Sequence, residues 1–195
     1  MTLEQFAPEV IDSSSLLSKL ADELPNKSMD IETLDRPISV TQDNRDGLPE
    51  LSDETRDRLE DQGYPKTILE SIGSEAEAQI YANADIEPAT INDKDVLIRT
   101  DIDYDKKDVF GDTNLDRMKQ GKAPLDSNDK PIELHHIGQS QDSPLAELTI
   151  TEHRGAGNDN VLHNKLKESS INREDFSKER AEHWKARAEQ IENQR

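Results

Sequence analysis

The chain has 195 residues with 24 Lys/Arg against 43 Asp/Glu, a net charge of −19, and no cysteine. That length suits one domain with at most an appendage, and 31 % apolar with 4 % aromatic residues is lean for a core spanning all of it, so part of the chain is expected to be poorly packed. The composition excludes a disulfide framework and any thiolate zinc site, leaving histidine and carboxylate as metal ligands. It also argues against a nucleic-acid-coating protein, and less against an enzyme that needs only a locally positive cleft.

The charge is uneven. Residues 1–100 carry 9 Lys/Arg against 23 Asp/Glu, a net of −14, and residues 101–195 carry 15 against 20, a net of −5. Residues 1–50 read as a poorly ordered acidic appendage. "SSSLLSKLADEL" puts Leu16, Leu17, Leu20 and Leu24 at helical spacing, and the breaker-rich segment behind it has no sustained period. A short helix with a linker, or a docking peptide for a partner, both fit. The start "MTLEQFAPEVIDSSS" lacks a basic region followed by an apolar stretch, and no apolar run approaches the ~18 residues of a membrane span. The expectation is a protein without a membrane partner, cytoplasmic or exported by a specialised secretion system.

Residues 51–97 form a second region, helical and then hairpin. Ser52 and Ser74 are candidate N-caps, with Gly63 and Gly73 as stops. "IEPATINDKDVLIRTDIDYD" reads as two strands around an Asn92-Asp93 turn. "DIDYDKKDVFGD" starts like a calcium loop, but Lys106 stands at its sixth position, where the sharp turn needs glycine, and Asp112 at its twelfth. It is discounted.

Residues 98–195 form the third region. A helix at "TNLDRMKQG" is closed by Gly121, and "PIELHHI" and "LAELTI" are strands joined by "GQSQDSP". Two helical stretches follow, "NVLHNKLKES" and "REDFSKERAEHWKARAEQI". In the second, Ala181, Trp184, Ala188 and Ile191 form a core stripe, which leaves His183 on the surface. All five histidines fall in the last 61 residues. Strand, loop, strand and helix with histidines on the first strand and on the helix make a ββα arrangement. His135 and His136, adjacent on a strand, point to opposite faces, one to a metal and one to a substrate water, unless a backbone twist lets both serve one cleft, and His153 and His163 bring further imidazoles. Such a set suits one divalent metal ion with an open position, while a histidine near neutrality can take a proton from water. A metal site that only staples the fold is the alternative these residues leave open, as is an acidic first half that serves as a partner-binding surface.

"NLDRMKQGKAPLDSNDKPIELHHIGQSQDSPLAELTITEHRGAGNDNVLH" resembles the LHH group of the HNH/endonuclease VII nuclease superfamily, known mainly as C-terminal modules of bacterial polymorphic toxins. The resemblance is dense over residues 98–187 and absent before residue 50. It implies an α+β fold, a ββα-metal (HNH/His-Me finger) nuclease core with flanking helices, and a metal-dependent endonuclease. The substrate would be nucleic acid, DNA favoured, with Zn, Ni, Mg or Mn as the metal and a cognate immunity protein as a possible partner. The same superfamily includes colicin DNase domains, which share the Glu-Leu-His-His tetrapeptide. By that likeness His135 is a metal ligand, His136 the general base, and Glu133 a carboxylate paired with an arginine, here assigned to Arg117. His153 and His163 match the remaining ligands, and Arg154 is a phosphate contact. One departure matters. Ten positions and two glycines separate His153 from His163, where the colicin ligands lie one helical turn apart. One uninterrupted helix would not bring both to one metal, so a bend at the glycines, or replacement of one histidine by Asn158 or Asn160, is required.

Overall fold

The computed structural model describes residues 47–164 and 171–194. The leucine-bearing helix expected over residues 16–24, most of the appendage, and the end of "NVLHNKLKES" lie outside them. Three short helices come first, α1 (Asp53–Asp61), α2 (Lys66–Ser71) and α3 (Glu75–Asn83). Ser52 and Ser74 cap α1 and α3 as expected, each accepting from the backbone N–H three residues on. Glu75 then ties the two helices, accepting from the Ser52 N–H and the Thr55 hydroxyl.

The hairpin follows, β1 (Ile86–Ile91) and β2 (Lys94–Arg99), antiparallel. Its turn is Asn92-Asp93, with φ of 51° and 60° at those residues. Two left-handed residues give the tight turn whose twist matches the strands, and Asn and Asp tolerate that region best after glycine. Helix α4 (Asn114–Lys119) starts with a capping box between Thr113 and Asp116 and ends at Gly121. Then come β3 (Glu133–His136) and β4 (Leu145–Leu148), antiparallel, with β4 also parallel to β2. The sheet order is β1-β2-β4-β3, so β3 is an edge strand. The expected division between residues 97 and 98 falls inside β2, and one sheet holds the hairpin and the histidine-bearing strand together.

Two small helices, α5 (Ile150–Arg154) and α6 (Asn158–Leu162), and a long one, α7 (Arg173–Gln194), complete the α+β fold. Each sheet face has its own core. On one, Leu97, Ala146 and Leu148 pack with Leu59, Ile68, Tyr81 and Leu162. On the other, Val96, Leu134 and Leu145 pack with Met118, Trp184, Ala188 and Ile191. The stripe read from the sequence of α7 is therefore its buried face.

His183 departs from expectation: it is buried, not on the surface. Its Nε2 lies 2.7 Å from Oε1 of Glu147, a fully buried carboxylate on β4. The same oxygen accepts from Arg187 Nε at 3.1 Å, while Glu147 Oε2 accepts from the Arg99 N–H at 2.8 Å. Burial alone would raise the Glu147 pKa, but the His183 hydrogen bond and the charges of His183 and Arg187 hold it below the usual carboxylate value. A carboxylate in the middle of the sheet is tolerable only with that set of donors, and the set anchors α7.

Glu147→Ala leaves His183 and Arg187 facing an apolar gap, and is expected to lower stability by about 3–5 kcal/mol in urea unfolding. Because the folded pKa is lowered, the Glu147 contribution is complete above about pH 4.3, the ordinary glutamate value. It is lost as pH falls further, through the lowered folded value. Acid unfolding of the Glu147→Ala protein should lack that component.

Candidate active site at the free edge of the sheet

Alternation on β3 sends Glu133 and His135 to one face, and Leu134 and His136 to the other. An interior strand would seal those faces from each other. On an edge strand one cleft can pass around the free side, and a cleft of about 560 Å³ there is lined by Glu133, His135 and His136 together with His153, Arg154 and His163.

The first face carries the imidazole cluster. Helix α5 is fixed at its start by a capping box between Thr149 and Glu152, and Arg99 holds the Glu152 carboxylate. This brings His153 over β3, where its Nδ1 lies 2.7 Å from Glu133 Oε2. The chain then turns sharply at Gly155 and Gly157. A Cβ on Gly155 would sit 2.2 Å from the Thr151 carbonyl oxygen, and Gly157 has a φ of +92°. Asn158 braces the corner by donating its Nδ2 to the Glu152 carbonyl. Helix α6 doubles back and leaves His163 at its C-terminal end. Gln139, just beyond β3, holds that end by donating to the Leu162 carbonyl and accepting from the Asn164 N–H.

His153 Nε2 is thereby 3.2 Å from His135 Nδ1 and 3.1 Å from His163 Nε2. The bend at the glycines makes replacement of either histidine unnecessary: Asn158 serves the corner, and Asn160 is exposed.

Protons must be placed to judge this cluster. Glu133 only accepts, so His153 carries its proton on Nδ1 and its lone pair on Nε2. His163 Nδ1 faces two acceptors, the Asp159 carboxylate at 3.0 Å and the Asp159 carbonyl at 3.2 Å. Its lone pair is also on Nε2. Two lone pairs at 3.1 Å repel unless a cation or a proton sits between them. Nitrogens around a tetrahedral zinc-like ion, at bonds of ~2.0–2.1 Å, are about 3.3 Å apart, and the observed spacing fits. Carboxylates on the remote nitrogens of His153 and His163 are the usual outer support of metal-binding imidazoles. His135, His153 and His163 thus fit a metal ion, and they form a group with all three ligand atoms within 4.8 Å of one another. Burial lowers the pKa of His153, the Glu133 hydrogen bond works against that, and the charges of His163 and Arg154 add to the lowering. A neutral ligating ring is favoured.

The second face holds His136. Its Nε2 lies 2.9 Å from Glu179 Oε2 on α7, and the other Glu179 oxygen pairs with Lys94. Phe176 lies against the ring with centroids 4.5 Å apart, and the His136 side chain is 0 % exposed. Burial lowers the His136 pKa, Glu179 opposes that, and Lys94 adds to the lowering.

The sequence assigned the arginine on Glu133 to Arg117, and here the assignment needs correction. Arg117 donates to Asp108 at 2.7 Å and to the Ala123 carbonyl at 3.1 Å, bracing the loop ahead of α4. The guanidinium on Glu133 belongs to Arg154, whose Nε is 2.8 Å from Oε2. Glu179, Lys94 and Asp159 were not singled out in the sequence. A carboxylate four residues before His163 is a helical-spacing signal that would have found Asp159; for Glu179 and Lys94 no local signal exists.

With this geometry in place the comparisons fall on the same residues. Residues 113–190 match the family model LHH, described as a nuclease of the HNH/ENDO VII superfamily with conserved LHH. Over that span, about two fifths of the chain, the sequence is similar to that family. The matched span runs from the cap of α4 into α7 and contains Leu134, His135 and His136 as its Leu-His-His run. No solved structure matches the chain.

Gly155→Ala is expected to push the Thr151 carbonyl away and separate His153 from His163. Zinc affinity, by competition with a chromogenic chelator, should fall at least tenfold.

Proposed function

We propose that this protein is a metal-dependent endonuclease that hydrolyses phosphodiester bonds, with His135, His153 and His163 holding one divalent metal. The observation that carries the reading is the pair of lone pairs on His153 and His163, fixed toward each other by Glu133 and Asp159. Three neutral imidazoles favour zinc or nickel over magnesium or manganese, which are better suited to oxygen ligands. When bound, the metal supplies positive charge against the scissile phosphate and its leaving oxygen. Glu133 and Asp159 keep the ligand rings in one tautomer. Arg154, 61 % exposed and held by Glu133 through Nε, points its remaining N–H groups to the cleft for phosphate oxygens.

His136 is the general base. Glu179 accepts its Nε2–H, which leaves the lone pair of a neutral ring on Nδ1. Phe176 lies on the ring, Glu179 holds Nε2 and Nδ1 is itself buried, so the base role requires Nδ1 to become accessible to water. DNA as the substrate, a bacterial toxin as the setting and a cognate immunity protein as partner belong to the same proposal, and the resemblance of residues 98–187 supports them. The competing reading is a triad that only staples the fold, and the sealed His136 is the observation in its favour.

Plasmid cleavage by chelator-stripped protein separates the two. The nuclease reading expects no cleavage until Zn²⁺, Ni²⁺ or Mn²⁺ is restored. His136→Ala should cut ~10²–10⁴-fold more slowly with unchanged metal affinity, while His135→Ala loses both. Parental rates from His136→Ala would remove it as the base. A folded, metal-loaded protein that cuts neither DNA nor RNA, but unfolds on chelation, would establish the staple. Glu133→Gln should weaken metal binding about 10–100-fold.

A further inference from the structure

Helix α7 does more than close the core. Along it, Arg173, Phe176, Ser177, Arg180, Ala181 and Trp184 recur at three- and four-residue intervals and line the cleft. The acidic residues Glu174, Asp175 and Glu182 are exposed and do not line it. Lys178, off that face too, is within 4.0 Å of Glu174 and 3.9 Å of Asp175. Among the described residues, Glu133, Arg154, Arg173 and Arg180 are the charged ones, histidines aside, that line the cleft. Glu133 is already matched by Arg154. Among the described residues no carboxylate pairs with Arg173 or Arg180, though the chain carries 43 Asp/Glu. Arg180 is also pre-positioned: its guanidinium lies 5.0 Å from the centroid of the Phe176 ring, which in turn packs on His136. A cation–π contact of this kind restrains the guanidinium while its N–H groups remain able to meet a bidentate acceptor.

We infer that this face of α7 is the wall that grips the substrate backbone, Arg173 and Arg180 each neutralising one phosphate beside the scissile one. The inference rests on the nuclease reading and names residues that no motif of the sequence supplied. Arg180 sits over Phe176, so its phosphate lies nearest the base. Arg173, seven residues back, takes a phosphate farther along the strand.

The test is binding of a fluorescent DNA duplex by full-length His136→Ala protein loaded with metal, read by anisotropy from low to physiological salt. Each phosphate contact contributes about 0.9 to the slope of log K against log salt. Arg173→Ala and Arg180→Ala should each weaken binding and flatten the slope by about that amount. Arg180→Lys should keep the slope. Lys178→Ala, the same charge lost from another face of the same helix, should change nothing. All three side chains are exposed, and unchanged melting temperatures would show that the variants fold. Arginine variants that bind like the parent would overturn the inference, as would an equal loss from Lys178→Ala or a parent that binds no nucleic acid. The plasmid assay tells these failures apart from failure of the nuclease reading. Metal-restored cleavage with unchanged KM in Arg173→Ala and Arg180→Ala leaves the nuclease standing without this wall. A parent that never cleaves removes both.

Discussion

Side-chain alternation on an edge strand is the constraint on which the site depends. His135 and His136 are neighbours in sequence, yet a strand assigns them to opposite faces of the sheet. On a central strand such as β4 each ring would be sealed in its own core. At the edge, no strand among the described residues pairs with the outer side of β3, and a cleft lined from both faces lies there. The division of labour follows from that placement. Glu133 and His135 share the face on which α5 and α6 bring His153 and His163, while Leu134 and His136 share the face covered by α7. One strand thus separates the imidazole of the triad, His135, from the proposed base, His136, by its pleat alone.

The two faces are held by different physics. Backbone geometry makes the imidazole cluster: a capping box starts α5, a Cβ-free corner ends it, and α6 returns His163 to within 3.1 Å of His153. On the other side, burial and charge act together. Trp184, Ala188 and Ile191 supply apolar area, and Glu147 fixes the register of α7 through His183 and Arg187. Removing one member of such a buried set costs far more than a surface pair is worth. The same helix presents Glu179, Phe176 and Arg180 to β3, so an anchor in the core sets the aim of side chains in the cleft.

Local signals in the sequence were read correctly wherever one residue type meets one backbone requirement. Asn92-Asp93 marked the hairpin, Ser52 and Ser74 the helix starts, Gly121 a helix stop, and the stripe on α7 a buried face. The gathering of His135, His153 and His163 was readable as well, because histidines are scarce in this chain. What failed was partner choice at long range. Arg117 and Arg154 are equally good guanidinium donors by type. Spacing does not tell that Asp108 and Ala123 claim the first, nor that the second rides on the helix that also carries His153. His183 read as exposed because its partner, Glu147, sits 36 positions away in an apolar strand. The ten-residue gap between His153 and His163 looked like an obstacle until Gly155 was seen to be the one residue whose missing Cβ lets the Thr151 carbonyl pass.

Net charge misleads in a chain of this kind. At −19 the protein has the wrong sign for a nucleic-acid binder, but the field at a phosphate depends on the charges within reach of it. At physiological ionic strength, charges farther apart than about 8 Å are largely screened across solvent. Among the described residues the cleft is lined by Arg154, Arg173 and Arg180 and by one carboxylate, Glu133, which Arg154 already matches, so these residues make it locally positive. The acidic remainder has a different physical effect, disfavouring broad adsorption along a polyanion. Under the proposed function, binding would be confined to the short stretch of backbone that enters the cleft, which is what a single-cut phosphodiesterase needs and a coating protein does not.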